Sequence, residues 1–145
     1  AMADRIAVLV DGKVVQFGTP EELWHRPNHP FVAATIADLQ PLKGRIEGTQ
    51  CVTAFGALPL RLLALTTDLA EGTSVPIGVR PSSLTVSLEG PCVVNDIRFL
   101  GDRYTLLISA DNQSLEVATA LKPKVTVGDK VSISFAAAQA VILQP

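Results

Sequence analysis

From Pro41 to its last residue the chain is a succession of short β-prone runs, each broken by glycine, proline or a polar turn before it can grow into a long helix. The runs fall at 45–46, 51–55, 58–62, 75–79, 84–88, 93–100, 104–109, 115–118, 131–135 and 141–143. Eight of the chain's ten glycines and seven of its ten prolines fall here and supply the punctuation. Many short strands at such spacing specify an antiparallel barrel or sandwich, because strands joined by tight turns come to lie side by side. A mainly β fold follows.

The first forty residues have a different texture. A β-rich run at 5–10, the dipeptide Asp11-Gly12 and an alternating run at 13–17 make a hairpin signal, since Asp-Gly suits a two-residue turn. Gly18 ends the second strand. Thr19-Pro20-Glu21-Glu22 then supplies an N-cap hydroxyl, a proline at the first helical position and a capping-box glutamate, specifying a short helix to about His25. Pro27 stops that helix, Asn28 offers the next cap, and Phe31, Val32, Thr35, Ile36 and Leu39 recur at helical spacing. A hairpin and two short helices are expected over 1–40, and a β domain over 41–145, with the boundary at 40–43. An internal echo, Lys43-Gly44-Arg45-Ile46-Glu47-Gly48 against Gly90-Pro91-Cys92-Val93-Val94, fits two small barrel units within that domain.

Composition removes several functions. With 145 residues, 48% of them hydrophobic, the chain can bury a real core without staples. A net charge of -2 provides no basic stripe for nucleic acid, and 5% aromatic residues provide no stacking platform for single strands. The apolar runs at 62–65 and 136–143 fall well short of the roughly 20 residues of a membrane helix. The N-terminus shows no export signal, so a cytoplasmic location is expected. Cys51 and Cys92 sit in apolar stretches without metal-site spacing and read as reduced core residues.

No catalytic, cofactor or metal site is expected. An ATP cradle needs a glycine-rich loop followed by lysine and a hydroxyl. The nearest candidate, Gly12-Lys13, has Ala7 five positions earlier and Val14 behind it. His25 and His29 are four apart, but Pro27 and Pro30 interrupt the helix that would let them chelate a metal, so surface or capping roles are favoured. No hydroxyl or thiol has a recognisable nucleophile motif. Arg80-Pro81 can be read as a turn that presents a guanidinium to an anion, or as a strand-ending arginine that bonds backbone or a nearby carboxylate. Asp102 after Gly101 can present charge to a partner subunit, or be an ordinary polar turn.

The order Met2-Ala3-Asp4-Arg5-Ile6-Ala7-Val8-Leu9, Asp11-Gly12-Lys13-Val14-Val15-Gln16, Gly18-Thr19-Pro20-Glu21-Glu22-Leu23 and Phe31-Val32-Ala33 resembles the end of an ABC transporter nucleotide-binding domain, just after its switch histidine. Ile77-Gly78-Val79-Arg80-Pro81-Ser82-Ser83-Leu84, Phe99-Leu100-Gly101-Asp102 and Gly128-Asp129-Lys130-Val131 resemble the transport-associated OB, or TOBE, domain that follows it in importer ATPases. The sequence departs from that pattern at Ala37, where glycine is common, at Gln40-Pro41, where asparagine is common, and at Ser82 or Ser83, where an acidic residue is common.

The resemblance implies an OB-like antiparallel barrel acting as a regulatory and dimerising module of a bacterial ABC importer's ATP-binding subunit. ATP and magnesium would then belong to a core outside this chain. The partners implied are a second copy of the subunit and, through that core, the membrane subunits at the inner face of the cell membrane. Among ferric iron, polyamine, sugar, sulfate and phosphonate importers, the overall texture leans to ferric iron. Trp24 and Phe31 would either pack on the ATPase core or staple the two helices together, and with Arg80, Pro81, Gly101 and Asp102 they are the candidate regulatory or interface residues. A competing reading is a module that senses a small solute or regulatory ligand, above all an oxyanion, as related domains in molybdate uptake do.

Overall fold

A computed structural model describes residues 4–63, 69–135 and 140–143. The opening Met2-Ala3, half of the apolar run at 62–65 and half of that at 136–143 lie outside the described residues.

The N-terminal part opens with a hairpin, β1 (Ile6–Val10) and β2 (Lys13–Gly18). Asp11 and Gly12 both take positive φ, 52° and 77°, as a turn matching the right-handed strand twist requires. Helix α1 (Pro20–His25) starts where the Thr19 hydroxyl accepts from the Glu22 amide at 3.2 Å. Helix α2 (Pro30–Thr35) follows. Its N-cap is His29, whose Nδ1 accepts from the Phe31 amide at 3.0 Å, and not Asn28. The Asn28 amide instead donates to Gln16 of β2. An imidazole two residues ahead of an orphan amide reaches it as an aspartate would, and the proline at the first helical position has no amide to satisfy. Val8, Leu23 and Val32 close a small core between hairpin and helices.

The chain leaves α2 through Asp38 in the left-handed region (φ 53°) and enters β3 (Gln40–Glu47). There follow β4 (Gln50–Thr53), β5 (Gly56–Pro59), β6 (Ser74–Val79), β7 (Thr85–Phe99), β8 (Tyr104–Ala110), β9 (Gln113–Thr119), β10 (Lys130–Ser134) and β11 (Val141–Ile142). They form two antiparallel sheets, in the orders β11-β6-β3-β4-β5 and β10-β7-β8-β9. The sheets curl round one shared cluster. Leu42 and Ile46 alternate inward on β3, as do Val75, Ile77 and Val79 on β6, the period of two expected of strands with one wet face. Cys51 and Cys92 are buried free thiols in this cluster. The mainly β class with an OB-like barrel, a hairpin and two short helices is what the structure contains.

Two expected strands merge. The runs at 84–88 and 93–100 belong to the single β7, which pairs first with β10 and then with β8. Glycine and proline at 90 and 91 do not end it. They sit in a bulge: Leu88 pairs with Val131 and Val93 with Lys130, leaving 89–92 to bend the strand. A Cβ on Gly90 would lie 2.4 Å from the Val131 carbonyl oxygen, so only glycine lets β10 cross so closely. The run at 58–62 is shorter than expected, because β5 ends at Pro59 and a 3-10 turn, Leu60–Leu62, follows.

Candidate functional site

Arg80 directly follows β6 and lies over the joint between the helices and the barrel, with only 7% of its surface exposed. Its Nε donates to the Ala37 carbonyl at 3.0 Å, and a terminal nitrogen donates to the Trp24 carbonyl. The guanidinium carbon sits 4.3 Å from the centre of the Trp24 ring, in cation–π contact. Burial lowers the Arg80 pKa, and the carboxylate of Asp38 opposes that shift. One side chain thus joins the end of α1, the exit of α2 and the end of β6. A second seam lies beside it, where Ala33, Ala37 and Leu39 pack with Val141 and Leu143.

Pro81 is buried as the first residue of a 3-10 turn, Pro81–Ser83, in which the Ser83 hydroxyl donates to the Arg80 carbonyl at 2.8 Å. The Arg80 side chain thus bonds backbone carbonyls of the helical segment, while its own carbonyl takes part in the turn. Trp24 is brought to Arg80, whereas Phe31 is 46% exposed, away from that contact.

Gly101 and Asp102 stand apart, at the tip joining β7 to β8. The Leu100 amide donates to the Arg103 carbonyl at 2.8 Å, and Gly101 takes φ 95°. Asp102 meets Arg103 at 3.5 Å in a solvent-exposed pair. Behind them Phe99 and Tyr104 face each other across the strands, ring centres 4.9 Å apart, with Phe99 63% exposed.

Gly12 lies in the turn between β1 and β2 and Lys13 opens β2, paired with Val10, with nothing within 4 Å of a Cβ placed on Gly12. Among the described residues no group of three His, Cys, Asp or Glu side chains could hold a metal ion.

Gln40 escaped the sequence reading. Its side-chain amide donates to the Glu116 carbonyl at 2.6 Å and accepts from the Glu116 amide at 2.8 Å, bonding the edge of β9 as a peptide of a neighbouring strand would. Nothing local in the sequence signals a contact between residues so far apart.

A family model described as the TOBE domain matches residues 77–143. An Fe(3+) ions import ATP-binding protein of Streptomyces coelicolor is 33% identical over 99% of this chain and 40% of its own length. The chain carries a TOBE domain, and its homologues are ATP-binding proteins of importers. A spermidine/putrescine import ATP-binding protein of Acidothermus cellulolyticus is 36% identical over 77% of the chain and 33% of the relative. An sn-glycerol-3-phosphate import ATP-binding protein of Agrobacterium fabrum is 31% identical over 68% and 27%. The chain therefore spans well under half the length of the curated relatives it matches. The TOBE match begins within β6 and includes Arg80, Pro81, Gly101 and Asp102, while Trp24 and Phe31 precede it.

Proposed function

We propose that this chain is the regulatory and dimerising C-terminal module of the ATP-binding subunit of a bacterial ABC importer, at the cytoplasmic face of the membrane. Solute uptake would be driven by ATP and magnesium in a core outside the chain, with a second subunit and the membrane subunits as partners. The observation that carries the reading is the outer face of the β1–β2 hairpin. Leu9 and Val14 are opposite one another across the strands, as are Ala7 and Phe17, and Leu9, Val14 and Phe17 are 58%, 59% and 62% exposed. Apolar surface concentrated on one exposed face gains from a partner that covers it. We assign an ATPase core as that partner, since the relatives are named import ATP-binding proteins.

Ferric iron is the solute we assign, since a relative aligned over 99% of the chain bears that name. Sedimentation equilibrium over a wide concentration range tests the dimerising role: a concentration-dependent dimer is expected, and a monomer throughout would overturn it. Magnesium-dependent ATP turnover by the purified chain would overturn the division of labour. Deleting the encoding gene should abolish uptake of radioactive ferric iron, and undiminished uptake would remove the solute assignment.

A further inference from the structure

The second sheet leaves a seam. Among the described residues strand β9 has β8 on one side and no strand on the other, while Thr85–Leu88 of β7 pair with β10 and not with β8. Hydrogen bonds between β9 and this stretch would close the barrel. Instead a cleft of about 770 Å³ opens between them. Val86 and Leu88 line one wall and Val117 and Ala118 the other, Leu84 and Leu106 belong to the shared core beneath, and residues 120–125 bound the mouth. The volume lies in the range of small-molecule sites, roughly 300–1,000 Å³.

Two features define what fits. Leu88 and Leu121, 58% and 79% exposed, both face this space, so apolar surface is concentrated where it can be covered. Among the described residues the charged side chains lining the cleft are Arg103, Lys122 and Lys124, with no carboxylate. Arg103 has its exposed contact with Asp102; among the described residues neither lysine is in an ion pair. In a chain of net charge -2, such a one-signed rim on a mostly apolar slot is electrostatically complementary to an anion.

We infer that the cleft binds a small organic anion, its apolar body against Val86, Leu106 and Val117 and its carboxylate or phosphate held by Lys122 and Lys124. A bare inorganic oxyanion gains little here, because the lysines are exposed and the walls are mostly apolar, with Ser82, Thr85 and Thr119 as the hydroxyl-bearing residues. The site needs no ATPase core and can be tested on this chain.

The probe is anilinonaphthalene sulfonate, an apolar bicyclic anion, with uncharged phenylnaphthylamine beside it. Binding should shift the methyl NMR signals of Val86, Leu106 and Val117. Lys122→Glu with Lys124→Glu should weaken the sulfonate at least about tenfold, leave the uncharged dye within about twofold, and keep the unfolding midpoint. The milder Lys122→Gln with Lys124→Gln should lose affinity in the same direction. Shifts confined to the exposed hairpin face at Leu9 and Phe17, or undiminished affinity in both variants, would overturn the proposal. So would inorganic sulfate producing the same shifts at the same concentrations.

Discussion

Arg80 shows how one side chain can carry a joint. Arg80→Ala would leave the carbonyls of Ala37 and Trp24 without their donor and remove the contact with the Trp24 ring, at a cost of about 2–4 kcal/mol in urea denaturation. Arg80→Lys should recover less than half of that, because an ammonium lacks the planar fork that reaches two carbonyls. Gly44 is fixed by a different constraint: a Cβ there would lie 2.3 Å from the Cys51 sulfur. Gly44→Ala should therefore destabilise by about 1–3 kcal/mol, and adding Cys51→Ala should restore part of the loss, the sign of coupling between neighbours. Burial raises the pKa of both thiols above the ordinary 9.0, slightly opposed at Cys51 by a backbone hydrogen bond and aided at Cys92 by the charge of Asp111. The folded chain then holds these protons more tightly than the unfolded one. Stability is complete below that pH and falls as pH rises through it. Ellman's reagent should find both thiols unreactive at neutral pH until the chain is unfolded. Their burial was legible from apolar neighbours, whereas the partners of Arg80 were not, since no local pattern names the carbonyls an arginine will reach.

Elements were legible where short-range chemistry decides them. Asp11-Gly12 and Thr19-Pro20 announced a turn and a helix start because those residues satisfy local backbone demands by themselves. The second helix cap was misplaced by one residue, since both Asn28 and His29 can accept from an amide and only the path of β2, which engages Asn28 through Gln16, chooses between them. Gly90-Pro91 read as a break because a bulge inside a long strand uses the same residues as a loop. The β9 edge was wholly illegible: its neighbour at Glu116 is a side chain from the first residue of β3. Gln40→Ala should cost about 1–2 kcal/mol, and hydrogen exchange should show faster exchange at the Glu116 amide than at amides bonded within β8 and β9.

For the whole molecule, the Arg80 contacts and the Ala33–Ala37–Leu39 cluster join helices to barrel, so Trp24 fluorescence and far-ultraviolet circular dichroism should report one coincident urea transition. In Arg80→Ala the two should separate, with Trp24 melting first. The mainly β architecture was visible from strand spacing, but the way two sheets share one core was not, because pairings between distant strands leave no periodic trace. Those same pairings govern time. Strand β6 must find β3 upstream and β11 far downstream before its sheet is whole. Each closure spends chain entropy before contacts repay it, which places such topologies in the slow, millisecond-to-second class of folders. The hairpin and its helices close through local contacts and can form early. A nascent or refolding chain will therefore carry a finished N-terminal joint for some time with no barrel to receive it.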